Sequence, residues 1–229
     1  RRGAFDENSV ALPRYLHDHG VAEVIPPLVT TSGRLHADLD PYTVIVYPFV
    51  EGRNGSEVAL SPGQWVAFGA AVRRLHTAVL PPALSAAIPR ETYTARWRES
   101  SSASLDRAEA EPPVDPVAAQ VVPFLRERRV EILDLVARTE RLAAALRTRS
   151  SPWVVCHSDL HAHNILIDAH DRLYIIDWDD PILAPKERDL MFPGGAQGFL
   201  GYTAEEEKRL FFRGYGQVEV DCTALAYYR

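Results

Sequence analysis

Cysteine, lysine and methionine are nearly absent from this chain of 229 residues. The two cysteines, Cys156 and Cys222, are too few for a disulfide framework, so a reducing, cytoplasmic setting is expected. Lys186 and Lys208 are the only lysines beside 23 arginines, which leaves two candidates for any chemistry that needs an amine. No apolar run approaches the roughly 20 residues of a membrane-spanning helix. The run that comes nearest, Val44 to Val50, suits a buried strand. No apolar signal core follows Arg1-Arg2-Gly3, and neither a repeat nor a low-complexity tract occurs. A basic excess is also missing: the net charge of −6 argues against a nucleic-acid partner and favours cationic small ligands. With 46% apolar and 24% charged residues, the composition is that of a globular protein of one large or two small domains.

Read in order, the chain opens with an expected helix capped by Asp6, with Glu7 in its first turn, Pro13 inside it and a stop at His19-Gly20. Val24 to Val29 reads as a short edge strand broken by prolines, and Tyr42 to Val50 as the strongest strand. Glu51 to Gly55 reads as a linker. Ser61-Pro62 opens a helix that would bury Trp65, Phe68, Val72 and Leu75. Residues 81–116, rich in Pro, Ala and Ser, read as loop or irregular helix. Pro116 to about Arg147 reads as a long helix with Val122, Leu125, Ile132, Leu135, Val136 and Leu142 mostly on one side, divided or begun at Pro123. Three short strands follow, Trp153–Cys156, Asn164–Ile167 and Leu173–Ile176, the last two joined by the polar turn Asp168 to Asp171. Beyond Pro185 the pattern is helical again.

The polar residues concentrate in Cys156-His157-Ser158-Asp159-Leu160-His161-Ala162-His163-Asn164 and in Ile176-Asp177-Trp178-Asp179-Asp180. A hairpin flanked by apolar strands would hold Asp159, Asn164 and Asp177 together. Phosphoryl transfer needs such a set: one carboxylate to orient a hydroxyl and take its proton, and an amide oxygen with a second carboxylate to hold Mg²⁺. The five-residue step from Asp159 to Asn164 matches the H-R-D-L-x-x-x-N loop of protein kinases, with Ser158 in place of the arginine. A metal-dependent hydrolase built on His157, Asp159 and His161 is a competing reading. Asp179, Asp180 and Glu187 are candidates for holding an ammonium group of a substrate. Asp189 reads as structural, bracing the loop; Trp178 and Cys156 read as core. Glu205-Glu206-Glu207 suits the first turn of a solvated helix.

His157-Ser158-Asp159-Leu160-His161 with Asn164, and Ile176-Asp177-Trp178-Asp179, resemble the signature of aminoglycoside phosphotransferases and their choline-kinase relatives. Leu183 to Phe192 is similar to the spectinomycin phosphotransferase branch of that family. The resemblance implies an α+β, protein-kinase-like bilobal fold. The small β-containing N-lobe and hinge would be residues 1–51, and the larger, mostly helical C-lobe with the catalytic hairpin residues 52–229. It implies transfer of the ATP γ-phosphate, with Mg²⁺, to a hydroxyl of an aminocyclitol or similar cationic antibiotic. Asp159 is then the catalytic base, and Asn164 and Asp177 are Mg²⁺ ligands. Tyr47, Pro48, Phe49 and Val50 form the adenine-contacting hinge, and Glu7 pairs with a nucleotide-positioning lysine. No glycine-rich loop precedes Glu7 and no lysine precedes Lys186, so that loop and lysine are expected upstream of residue 1 and the N-lobe is incomplete here. Choline, homoserine or a macrolide as substrate, and a catalytically silent binding module, are the alternatives.

Overall fold

A computed structural model describes residues 7–149 and 152–229. Asp6, expected to cap the first helix, lies outside the described residues. The chain forms two compact units: residues 1–91, 152–221 and 228–229 make the first, and residues 92–151 and 222–227 the second. The expected boundary at 51/52 thus falls inside the first unit. Among the described residues no helix is long and apolar enough to cross a membrane.

The first unit begins with α1 (Asn8–Asp18), which runs through Pro13 and stops at His19 and the left-handed Gly20. Val24 to Val29 is not a strand. Only Val24 bridges, to Ile175, because Pro26 and Pro27 have no amide hydrogen to give a ladder. The run Tyr42 to Val50 is also corrected. It holds one three-residue strand, β2 (Tyr42–Val44), paired with β1 (Ala37–Leu39), and its side chains are mostly exposed, Phe49 at 91%. Pro48 removes a donor there, and Leu28 N–H donates to Val46 O at 2.7 Å beyond β2.

The expected linker at Glu51–Gly55 contains β3 (Gly52–Asn54), which lies antiparallel to β5 (Ile165–Asp168); β6 (Leu173–Ile175) completes that sheet. Gly52 signals close approach, not flexibility: a Cβ there would collide with the Ile167 carbonyl. Helix α2 (Pro62–His76) starts in a capping box between Ser61 and Gln64 and buries Trp65, Phe68, Val72 and Leu75 completely. After α3 (Pro82–Ala87) the chain enters the second unit.

There, 81–116 is more regular than its composition suggests, for α4 spans Arg96–Ala110. Ser101 and Ser104 donate their hydroxyls to the carbonyls four residues back, 2.8 and 2.9 Å away, which reconciles serine with the helix. The expected long helix is two: α5 (Pro116–Glu127), capped by Asp115 and containing Pro123, and α6 (Arg129–Arg147), with the break at Arg128 instead of the proline. Leu135 is exposed, while Val122, Leu125, Ile132, Val136 and Leu142 are half-buried. Arg98 ties α4 to α6 through Glu140 at 2.7 Å.

Back in the first unit, β4 (Val154–Cys156) pairs with β7 (Ile182–Ala184), and the short α7 (Glu187–Leu190) follows. Residues 191–203 are not helical, so helix resumes only at α8 (Ala204–Tyr215); α9 (Cys222–Tyr228), which belongs to the second unit up to Tyr227, ends the chain. Helices α2 and α8 pack backbone to backbone, with Phe68 edge-on to Phe211 at 5.3 Å between centroids. Glycines permit this: a Cβ at Gly69 would collide with the Phe211 carbonyl, and one at Gly214 with the Val66 carbonyl. Glu207 of the expected acidic turn is buried, its carboxylate accepting from Gly194 N–H at 2.8 Å, and burial raises its pKa.

Gly69→Ala should therefore destabilise the protein by about 1–3 kcal/mol through overpacking. Gly63→Ala in the same helix, where a Cβ meets only Ser61 Oγ at 3.8 Å, should leave stability unchanged or slightly raised. Thermal melts of the two variants check this; equal melting temperatures would contradict the close helix contact.

Candidate active site

Strand β4 delivers the chain into His157, and a single 3₁₀ turn over Ala162–Asn164 feeds it into β5. Two bonds to the Ile176 backbone fix what faces what. Ile176 N–H donates to Asn164 O at 3.0 Å, and His157 Nε2 donates to Ile176 O at 2.9 Å. Asp177 follows directly on Ile176, so it is held beside Asn164 and the start of the loop. His157 Nδ1 is then the unprotonated nitrogen and accepts from Asp159 N–H at 3.3 Å. Burial lowers the His157 pKa, which favours this neutral tautomer. With both ring nitrogens committed and the ring edge-on to Trp178 at 4.6 Å, His157 is a brace and not a metal ligand. The competing metallohydrolase centre is not formed.

Asn164 is buried and turns its Nδ2 to Asp159, donating to the backbone O at 2.8 Å and to Oδ2 at 3.1 Å. That leaves Asn164 Oδ1 as a free oxygen donor. The Asp159 side chain is 53% exposed, with His161 Nε2 3.3 Å from Oδ2. Asp177 and Asp180 are exposed, and Asp179 is half-buried. Trp178 is buried, its indole N–H donating to Ile175 O at 2.9 Å. Ser158 and Asp177 both have left-handed backbone, φ 71° and 66°. Such conformations are uncommon outside glycine, although aspartate tolerates them better than most residues. Ser158 Oγ donates to Asp180 O at 2.8 Å, tying the loop to the Asp177–Asp180 segment.

What holds the strained loop is Asp189. Its side chain is fully buried; Oδ2 accepts from His157 N–H at 2.9 Å and Oδ1 from Ser158 N–H at 2.8 Å. His76 Nε2 lies 3.1 Å from Oδ2 and must donate, since a carboxylate only accepts; His76 Nδ1 lies 2.8 Å from the Tyr215 hydroxyl. Burial pushes Asp189 up, but the hydrogen bond and charge of His76, with His157 and the Ser158 amide, outweigh it and hold the carboxyl below its usual range. Burial raises Tyr215 to about 12 and keeps the Cys156 thiol protonated as a small core group. Asp189 is the brace expected from the sequence. His76 and Tyr215 were not anticipated, and their only signal is that His76 continues the buried face of α2 beyond Val72.

The remaining expected residues are dispersed. Tyr47, Pro48 and Phe49 are exposed and Val50 half-buried. Glu7 is exposed at the head of α1, where its backbone O accepts from Val10 and Ala11. Both lysines are occupied, Lys186 by Glu187 and Lys208 by Glu205, each at 2.7 Å. Glu187 is buried and also accepts from Asp221 N–H at 3.0 Å.

Because folding depresses the Asp189 pKa, the unfolded chain takes up this proton at higher pH than the folded one. The stabilisation is complete above the ordinary aspartate value of about 3.9 and is lost as pH falls through the lower folded value. Asp189→Asn should cost about 3–5 kcal/mol at neutral pH and flatten the loss of stability below about pH 4. Urea unfolding at a series of pH values measures both, and an unchanged acid limb would show that Asp189 is not its source.

The phosphotransferase enzyme family (APH) matches residues 7–191, which include Asp159, Asn164, Asp177 and Asp189. Spectinomycin phosphotransferase APH(9)-Ia, solved with ADP and spectinomycin, is 35% identical over the whole of this chain and 69% of its own, with a TM-score of 0.91. Its AMP-bound structure gives 35% identity, coverage of 100% and 72%, and a TM-score of 0.90. Aminoglycoside phosphotransferase APH(3'')-Id from Streptomyces rimosus, solved with ADP and streptomycin, shares the fold at 21% identity over 97% of this chain and 80% of its own, with a TM-score of 0.62. No curated protein matches. The chain belongs to the phosphotransferase enzyme family and has its kinase-like α+β fold.

Proposed function

We propose that the protein is an ATP-dependent O-phosphotransferase that modifies a hydroxyl of an aminocyclitol antibiotic, with spectinomycin as the favoured substrate. The observation that carries this is the convergence of an exposed Asp159 carboxylate, a fixed Asn164 amide and Asp177 on one hairpin. The substrate choice rests on the 35% identity to spectinomycin phosphotransferase along the whole chain.

In the transfer, the substrate oxygen forms a bond to the γ-phosphorus as the bond from that phosphorus to the β,γ-bridging oxygen breaks, and ADP leaves with the electron pair. Asp159 Oδ orients the hydroxyl and takes its proton; the Asn164 Nδ2 bond keeps that carboxylate pointed. Asn164 Oδ1 and the Asp177 carboxylate are hard oxygen donors with no hydrogen bond or ion pair among the described residues, the donor set that suits Mg²⁺. When bound, Mg²⁺ neutralises charge on the nucleotide phosphates. Residues 1–51 would serve as the nucleotide lobe and 52–229 as the substrate lobe, with Tyr47 to Val50 against adenine and Glu7 positioning the nucleotide through a lysine. Of the acidic residues expected to meet substrate ammonium groups, Asp179 and Asp180 would provide that anionic surface, in keeping with a net charge of −6, whereas Glu187 is buried and ion-paired with Lys186. An ATP-consuming enzyme of this kind is placed in the cytoplasm.

Asp159→Asn should lower kcat with spectinomycin and Mg·ATP by about 10²–10⁴-fold. Nucleotide affinity, read by calorimetry, should stay within about threefold, because the carboxylate acts on the acceptor and not on the nucleotide. Asp177→Asn should raise the Mg²⁺ concentration needed for half-maximal rate. Full turnover in the first variant would remove Asp159 as base. A wild-type protein that fails to bind Mg·ATP would favour the silent binding module.

A further inference from the structure

A groove of about 800 Å³ runs along the second unit at the end of α5 and the first four turns of α6. Its charged lining is Glu127, Arg128, Glu131, Asp134, Arg138 and Arg141. The α6 members follow at steps of three, four and three residues, so they share one helix face. That face is acidic in its first half and basic in its second. Glu131 has an exposed ion pair with Arg128 at 3.1 Å. Asp134, Arg138 and Arg141 have no ion pair or hydrogen bond among the described residues, although Asp134 and Arg138 are spaced as a helical pair. Beside them Val130 and Leu135 stand 73% and 55% exposed.

We propose that this face is the contact between two copies of the chain, joined about a two-fold axis with their α6 helices antiparallel. A charge pattern that changes sign at its midpoint is complementary to its own reverse. With the axis near Val136, Asp134 faces Arg138 of the partner subunit and Glu131 faces Arg141 of the partner subunit. In a two-fold contact each pairing occurs twice, so all four charged positions of both helices find opposite charges. Val130 and Leu135 leave water in the same contact. A parallel arrangement sets acid against acid. A uniformly charged partner would be repelled by one half of the face, whereas a second copy satisfies both.

Sedimentation velocity of the full chain across the micromolar range should show a dimer that weakens as salt is raised. Glu131→Arg with Asp134→Arg makes the face wholly basic, and Arg138→Glu with Arg141→Glu makes it wholly acidic. Each double variant alone should weaken dimerisation by at least about tenfold, and an equimolar mixture of the two should restore it as a heterodimer. Unchanged thermal melting shows that the variants fold, and spectinomycin phosphorylation by each is a separate readout. A wild-type chain that stays monomeric, a dimer indifferent to both variants, or a mixture that stays monomeric overturns the proposal.

Discussion

A buried carboxylate organises the candidate active site of this molecule. Asp189 has no exposed side-chain surface, and an unsatisfied charge there would cost several kcal/mol. It is satisfied by three donors: the amides of His157 and Ser158, and the His76 imidazole. These come from two places in the chain and Asp189 from a third, so the bonds that satisfy Asp189 also set the position of the loop against α2 and α7. The His76 ring is oriented in turn by the Tyr215 hydroxyl on α8. The α2–α8 contact that Gly69 and Gly214 allow is therefore part of the same device, for it brings Tyr215 within reach of His76. A side chain at either glycine would move the helices whose spacing the relay needs.

The strain in the site is explained by the same bonds. Ser158 and Asp177 hold left-handed backbone that neither would choose alone. Asp189 takes the Ser158 amide, and the hydroxyl of Ser158 reaches Asp180 O, so the conformation of the first loop is linked to that of the second. Ile176 is bonded on both sides, through N–H to Asn164 and through O to His157, and this fixes the direction in which Asp177 leaves the strand. The groups proposed for the chemistry thus gain their geometry from bonds made behind them, which is what preorganisation requires.

Sequence patterns spoke clearly where the determining interactions are local. The Ser61 cap, the apolar face of α2, the hairpin turn after Asp168 and the five-residue step from Asp159 to Asn164 all lie within a few residues of what they control. Patterns misled where a distant partner decides. Gly52 looks like a linker glycine until Ile167 is set against it, and Tyr42 to Val50 looks buried until its side chains prove to be in water. His76 and Tyr215 bond across 139 residues, and His76 and Asp189 across 113, so no window of sequence contains the relay. In α4, the helix propensity of its arginine, glutamate, alanine and leucine residues, with serine back-bonding, outweighed a composition that suggests loop.

The aspartates of this region divide by what their oxygens already hold. Asp168 closes the far end of the hairpin as Asp189 closes the near end. It accepts from the His170 and Arg172 amides at 2.8 and 3.0 Å and from the Arg172 guanidinium at 2.7 Å. Burial works against its charge, yet the two amides and Arg172 together hold it at about 2. Both anchors turn their oxygens to backbone N–H groups and neighbouring side chains, Asp168 also to the Tyr174 hydroxyl, so their bonds hold the loops in place. Asp159 and Asp177 are the reverse, exposed at the open side of loops that the anchors fix. A stretch rich in aspartate therefore separates into groups that build the loops and groups that the loops present. The separation follows from hydrogen-bond capacity: a carboxylate with its acceptors filled is structure, and one held in place with its acceptors open is available for chemistry.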